Sequence, residues 1–270
     1  MHQVIGCVPY VNAKPLVDRF HFGRPSEIEV IYDIPSRLPA LLDSGSASAV
    51  LASSFEALNT HGRTIAAGCS ISTWGAAESV RLFSKVRPAE IRSLALDQSS
   101  LTSNNLARVL LKELYDADPS VLAMEPDLEA MLARHDACIL IGDIGMRADG
   151  TGLHIIDLGE AWFHMTGLPF VWAVWIGGPE LQPALVSELV EAKRWGREHL
   201  EEVVLRSADR AGWPIDQCDH YLRQVMNYDL SLSHVDGLRR FQELLLTHGL
   251  LVEDEFPTII ESTPAAQTVG

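Results

Sequence analysis

Three stretches gather hydroxyl and amide side chains where an apolar run gives way to a helix start: Pro9-Tyr10-Val11-Asn12, Ala52-Ser53-Ser54 and Asp97-Gln98-Ser99-Ser100-Leu101-Thr102-Ser103. In a parallel α/β sheet such loops lie together at the carboxyl edge. A helix beginning there offers unpaired N–H groups and the positive end of its dipole, and serine and threonine add hydroxyl donors. That combination suits the holding of a carboxylate or a phosphate. The stretch from Ser99 to Ser103 is the main candidate cradle, and Ser53 is a weaker contributor. Plain N-capping is the alternative for each, because Ser and Thr are ordinary caps. Asn12 likewise reads as a cap or as a ligand contact. Asp143, after an apolar run, reads first as a turn residue following Gly142 and second as a substrate contact.

Acid–base candidates are few. The ten histidines form no HxH or HExxH spacing. His154 and His164 flank a segment that could return to a cleft, and each is a candidate base. No GxSxG, GxGxxG or GxxxxGK[ST] pattern occurs, so a serine hydrolase, a dinucleotide enzyme and a P-loop enzyme lack support. No metal and no cofactor are expected. Cys7, Cys69, Cys138 and Cys218 are scattered without a CxxC spacing. They read as buried free thiols of a cytoplasmic protein.

The elements that must position these residues follow from the hydrophobic pattern. The chain has 270 residues, 47% apolar and 21% charged, a globular balance that fits one large domain or two ordinary ones. Lys and Arg total 21 against 36 Asp and Glu, a formal net charge of −15. That sign argues against nucleic acid and anionic membranes as partners. The longest apolar stretch, 168–178, contains Pro169 and is far short of the ~20 residues a membrane helix needs. The N-terminus has no basic-then-apolar leader pattern, so no secretory signal is expected.

Apolar runs at 4–8, 28–31, 47–52, 64–69, 79–83, 91–96, 121–124, 137–141 and 170–176 read as strands. Between them lie short helices, among them a start at Pro35-Ser36 closed by Gly45, and a clear helix over 102–115 with Leu106, Leu110 and Leu114 on one stripe. From about residue 181 the pattern is helical, with a stripe of Leu185, Leu189, Ala192 and Trp195 and further helices at 217–226 and 235–248. Residues 254–270 read as a loose tail. Strands alternating with helices predict parallel sheets with right-handed crossovers. The order suggests two α/β lobes, one from residues 1–84 with 174–270 and an inserted one from 85–173. Crossings near Ser84-Lys85 and Trp172-Ala173 would form a hinge, with the ligand cleft between lobes.

At this point the residues resemble a known family. Pro9-Tyr10-Val11-Asn12-Ala13-Lys14-Pro15-Leu16 is similar to the Y-x-N-x-x-P-L opening of the chorismate dehydratases of the futalosine route to menaquinone. Pro35-Ser36-Arg37-Leu38, Leu41-Leu42 and Gly45 resemble that family's second helix. Gly75 with Glu78-Ser79-Val80-Arg81-Leu82-Phe83-Ser84 resembles its G-x-x-x-S-V stretch, and Asp97 to Ser103 its D-x-S-S-R-T-S loop. Ile141-Gly142-Asp143, Asp157-Leu158-Gly159-Glu160-Ala161-Trp162 and Thr166-Gly167-Leu168-Pro169-Phe170 complete a series that runs in order. One position departs: Leu101 stands where the family's loop has Arg. Arg81 or backbone N–H groups are the substitutes to consider.

The resemblance implies the two-lobed fold of type II periplasmic binding proteins. It also implies loss of water from chorismate, a small dicarboxylate, to give 3-[(1-carboxyvinyl)oxy]benzoate. Removing the allylic hydrogen from the ether-bearing ring carbon gives an enolate-like anion delocalised into the ring carboxylate. Expulsion of the adjacent hydroxyl then makes the ring aromatic. Fixed donors near developing negative charge are the main contribution required. Asn12 and Ser79 are the catalytic candidates. Tyr10, Ser53, Arg81, Ser99, Ser100, Thr102, Ser103 and Asp143 are the substrate-binding candidates. Among His and Glu residues, only Glu78 and Glu160 fall squarely within the matched segments. The base is therefore the substrate's own enolpyruvyl carboxylate, or else His154 or His164. Two rivals remain. A solute-binding protein for a small carboxylate would carry a leader or a lipid-attachment cysteine, and a ligand-sensing domain would carry a DNA-binding segment. The sequence leaves a homodimer open.

Overall fold

The computed structural model describes residues 3–24, 27–35 and 37–263. The first third runs β1 (Gln3–Cys7), α1 (Lys14–Val17), α2 (Arg19–Phe22), β2 (Ile28–Tyr32), α3 (Leu38–Asp43), β3 (Ala49–Ser53), α4 (Ser54–Asn59) and β4 (Thr64–Thr73). A helical turn at Val11–Ala13 carries Asn12 into α1. Pro15 sits in the first turn of α1, where a missing N–H breaks no helical bond. Ser36, expected at a helix start, lies outside the described residues. The middle third runs β5 (Val80–Ser84), β6 (Ser93–Asp97), α5 (Leu101–Tyr115), β7 (Ser120–Met124), α6 (Leu128–Arg134), β8 (Ala137–Ile141), α7 (Gly142–Arg147), β9 (His154–Asp157) and α8 (Leu158–Thr166). The chain returns through β10 (Phe170–Gly177) and continues as α9 (Pro183–Glu198), α10 (Leu200–Ala211), α11 (Ile215–His220), α12 (Leu232–Thr247) and β11 (Thr258–Ile260).

These strands form two sheets. The first has the order β11-β4-β10-β3-β1-β2, the second β7-β6-β8-β5-β9. The expected parallel pairing holds for β1 with β2 and β3, and for β6 with β7 and β8. It fails for β10, antiparallel to β3 and β4, and for β5, antiparallel to β8 and β9. Both enter a sheet directly from the other lobe, without the crossover helix that parallel neighbours require.

Both crossings therefore differ from the expected ones. Residues 80–84 hydrogen-bond within the second sheet, so the first crossing lies between β4 and β5 rather than at Ser84-Lys85. All of β10 belongs to the first sheet, so the second crossing precedes Phe170 rather than falling at Trp172-Ala173. The first crossing is pinned by Asp157, whose carboxylate accepts from the backbone N–H groups of Ala77 (2.9 Å) and Glu78 (2.7 Å) and also caps α8. This holds Glu78 at a φ of 58°. A Cβ on Gly159 would lie 2.4 Å from the Gly75 carbonyl oxygen, so only glycine lets α8 sit this close.

Other local expectations also shift. β4 runs to Thr73 and the segment 217–226 divides into α11 and a π-helical turn, Tyr221–Val225. Of the expected loose tail, Thr258–Ile260 form β11, paired in parallel with β4, and 264–270 lie outside the described residues.

Side chains of the first sheet, with α9 and α10, form one apolar core around Ile5, Val50, Leu51 and Trp175. A second core straddles the lobes. It joins Phe55 of α4, Leu106 and Leu110 of α5, Trp162 of α8, Phe170 of β10 and Phe241 of α12. The Phe170 ring meets Trp162 at 5.2 Å and Phe241 at 5.1 Å, both edge to face. On the opposite side, α9 presses onto α1: a Cβ on Gly196 would lie 1.9 Å from the Pro15 carbonyl oxygen.

Candidate active site

A cavity of about 860 Å³ opens between the lobes. Its walls are the loops leaving β1, β3, β6 and β8, the end of α10, and Tyr221. Those loops are at carboxyl ends of strands, where ligands bind in open α/β sheets. The volume is within the range of small-molecule sites.

The floor is a cluster of neutral hydrogen-bonding groups. Ser79, nearly fully buried, pairs its hydroxyl with that of Tyr221 at 2.9 Å. The Asn12 amide lies beside the same Tyr221 hydroxyl. Burial pushes the Tyr221 phenol up to about 12, with the Ser79 and Asn12 contacts opposing the rise, so the group remains a neutral O–H donor near neutral pH. The Asn12 Oδ1 is buried and has no hydrogen-bond partner among the described residues. A buried acceptor of this kind calls for a donor from a bound molecule or water.

The loop from Ser99 to Ser103 also lines the cavity, and its hydroxyls divide by use. Ser99 spends its N–H (2.9 Å) and its hydroxyl on Asp97 Oδ1. Ser100 is the N-cap of α5, accepting from the Ser103 N–H at 3.3 Å. Thr102 pairs its hydroxyl with that of Ser53 and accepts from the Phe55 N–H at 3.2 Å. It therefore caps α4, an element of the other lobe. Ser103 alone has a hydroxyl with no hydrogen bond to a described residue, and it is nearly buried. Bonded hydroxyls and a free one thus fall on different residues of one loop.

Tyr10, exposed at the mouth, and Asp143 also line the cavity. Burial first, then the charges of Asp97 and Asp143, push the Tyr10 phenol above its ordinary range. Asp143 accepts from Trp213 Nε1 at 3.1 Å, tying α7 to the end of α10. Leu101, in the place of an expected Arg, is half-exposed at the lining.

Three expectations are not met by position. Arg81 is absent from the lining: its Nε donates to Gly145 O at 2.8 Å and its Nη2 to Met146 O at 2.7 Å. The antiparallel register of β5 turns its side chain toward α7 rather than the cleft. His154 and His164 do not flank a loop back to the cavity. They are exposed on β9 and α8, outside the lining. Glu78 pairs with His220 at 2.9 Å, also outside the lining.

The profile of a menaquinone biosynthesis family matches residues 4–246. The chain belongs to that family. A chorismate dehydratase of Thermus thermophilus is 34% identical over 264 residues, covering 90% of this chain and 94% of that one. Among solved structures, a protein of Archaeoglobus fulgidus superposes with a TM-score of 0.73 at 18% identity, over 92% of this chain and 98% of that one. The periplasmic aliphatic sulphonate binding protein of Escherichia coli gives 0.65 at 14%, over 99% and 96%. A Candida albicans protein described as having the generic periplasmic binding protein fold gives 0.63 at 11%, over 99% of each chain. The chain has that fold.

Within this menaquinone-family chain, sequence reasoning missed Lys14, Tyr221, Trp213 and Arg210, all of which line the cavity. Lys14 stood inside the Y-x-N-x-x-P-L match and carried a signal in its charge. Arg210 was hidden because α10, whose buried face is Val203, Val204, Ser207 and Ala208, was not separated from the helices around it. Tyr221 and Trp213 come from a distant stretch of chain, and only the fold brings them to Asn12 and Ser79. Among the described residues, no group of three or more His, Cys, Asp or Glu could hold a metal, and no helix is long and apolar enough to cross a membrane. All four cysteines are buried and free.

Proposed function

We propose that this protein is a chorismate dehydratase, a hydro-lyase that converts chorismate to 3-[(1-carboxyvinyl)oxy]benzoate and water in menaquinone biosynthesis, and that it works in the cytoplasm, where its free thiols would stay reduced. The observation that carries the reading is the meeting of Asn12 and Ser79 on the buried Tyr221 hydroxyl at the cavity floor, in a chain 34% identical to a named chorismate dehydratase.

The reaction moves one proton and one hydroxyl. The C–H bond of the ether-bearing ring carbon breaks, its electron pair is delocalised toward the ring carboxylate, and the neighbouring C–O bond breaks as the ring becomes aromatic. The departing hydroxyl leaves as water with the proton. Asn12, Ser79 and Tyr221 are neutral groups suited to stabilising charge rather than to taking a proton. The lining carboxylates are already engaged: Asp97 by Ser99, Asp143 by Trp213 and Glu125 by Gln98. With both histidines outside the lining, the base is the enolpyruvyl carboxylate of the substrate, held in place by Asn12 and Ser79. The first turn of α5, apart from the Ser103 N–H that Ser100 caps, and the Ser103 hydroxyl offer donors for a carboxylate. Enclosure between lobes keeps water from the anion.

The test is incubation of the purified protein with chorismate, following chorismate loss and the appearance of an aromatic acid lighter by one water. Chorismate that binds stoichiometrically and is recovered unchanged would refute the enzyme and support a solute-binding protein instead.

A further inference from the structure

Two cationic side chains line the cavity among the described residues, Lys14 and Arg210. They differ in use. Arg210 is exposed at the end of α10, with its guanidinium 5.9 Å from the Phe22 ring centre. Lys14 is 7% exposed, and its ammonium makes no hydrogen bond and no ion pair with a described residue. Its ammonium stands over the Tyr32 ring, with Nζ 4.4 Å from the centroid, and the charge of Asp18 acts on it without a direct bond. Asp18, the nearest acidic residue along the chain, is bonded instead by Arg206 at 3.4 Å. A cation–π contact replaces only part of the hydration an ammonium loses on burial. The cavity thus has carboxylates that are already engaged and one buried cation that is not. Lys14 also leaves the same short segment as Asn12, and that segment is fixed from behind where Gly196 meets Pro15.

We infer that Lys14 is the carboxylate-docking cation of this site, a positioning and specificity residue that takes one carboxylate of the dicarboxylate substrate. The inference rests on the dehydratase reading for the identity of that substrate. It supplies the cation that neither Leu101 nor Arg81 can supply, the first being apolar and the second committed to Gly145 and Met146. A carboxylate anchored at Lys14 would be held on the same rigid segment that carries Asn12, two residues earlier. That is the arrangement that turns binding energy into orientation.

The experiment compares wild type with Lys14→Met, which keeps the length and removes the charge. Binding is read from quenching of Trp172 and Trp213, both in the lining. Three probes are used: 3-[(1-carboxyvinyl)oxy]benzoate, 3-(vinyloxy)benzoate without the enolpyruvyl carboxylate, and 2-phenoxyacrylate without the ring carboxylate. Lys14→Met should weaken the diacid and one monoacid by about 10- to 100-fold, the range for a charge-assisted hydrogen bond. The other monoacid should change less than twofold, which identifies the carboxylate held. Lys14→Arg should recover most of the affinity, and the Tm of Lys14→Met should equal or exceed that of wild type. If Lys14→Met does not fold, Lys14→Gln carries the same comparison. Equal weakening of all three probes, no weakening of any, or no binding of the diacid by wild type overturns the inference. Turnover of chorismate by wild type is measured in parallel. Lys14-dependent binding without turnover keeps the docking cation and removes the dehydratase. Turnover with Lys14-independent binding does the reverse.

Discussion

Replacing Ser79 by alanine separates a structural role from a catalytic one. The hydroxyl pairs at 2.9 Å with that of Tyr221, which is itself buried. Its loss leaves the Tyr221 O–H with the Asn12 amide as remaining neighbour. A buried hydroxyl left part-satisfied costs about 1 kcal/mol, rising toward ~3 if no partner replaces it. In a chain of this length that lowers Tm by about 2–4 °C per kcal/mol. The catalytic effect is larger. If Ser79 and Tyr221 face charge that appears only as the proton leaves, removing one donor raises the barrier by about 2–4 kcal/mol, or 10²–10³ in kcat. KM should move much less than kcat. Tyr221→Phe tests the same cluster from the other side. The double variant should lose less than the sum of the two singles, because a hydrogen-bonded pair couples by about 0.5–3 kcal/mol. The assay is kcat and KM on chorismate with a thermal melt for each variant. A folded Ser79→Ala enzyme with kcat within threefold of wild type would refute the role, as would strict additivity with Tyr221→Phe.

Three further outcomes follow from the geometry. Thr102→Val removes the cap that α5 lends to α4 and should lower stability by about 1–2 kcal/mol, while Thr102→Ser keeps the hydroxyl and most of the stability; a denaturant titration of both variants checks this. Gly196→Ala forces a Cβ against the Pro15 carbonyl and should cost about 1–3 kcal/mol by overpacking; a melt reads the loss, and displacement of Asn12 should lower kcat as well. The His220 imidazole is held above its ordinary 6.5 by its hydrogen bond to Glu78 and by that carboxylate's charge. Its contribution to stability is therefore complete below about pH 6.5 and is lost as pH rises through the raised value. Since both side chains are about half-exposed, the amount is under about 1 kcal/mol, and His220→Gln should flatten that part of the stability–pH curve.

How much of this was legible in the sequence depended on the range of the interactions. The Leu106 and Leu110 stripe named α5 correctly because a helix face is a local pattern, although Leu114 on the same stripe runs off the core and is 41% exposed. The loops of Asn12 and of Ser99 to Ser103 were legible because strand ends followed by caps have a local signature. The split of that loop into caps and a free hydroxyl was not, because Thr102 bonds Phe55 across the cleft. The direction of Arg81 was lost for the same reason: its partners, Gly145 and Met146, are fixed by an antiparallel register that periodicity does not encode. The positions of His154 and His164 on β9 and α8 are not legible, since four strand residues and a nine-residue helix leave too short a pattern.

The apolar cluster shared by the lobes has a consequence for how the molecule comes apart. Phe55, Leu106, Trp162, Phe170 and Phe241 derive from five elements, of which α4, β10 and α12 go with the first sheet and α5 and α8 with the second. Neither half can open without exposing aromatic surface of the other, and truncating one such ring alone costs about 3–5 kcal/mol. The insertion is therefore not an independent folding unit. Native-state hydrogen exchange should find the amides of Leu106 and Leu110 in α5 and of Val171 in β10 released together, at one free energy close to that of global unfolding, while the edge strand β7 exchanges by local opening well before. Excised as a fragment, residues 75–169 would present the flank of α5 and α8 to water and would associate or collapse rather than hold the shape they have beside β10.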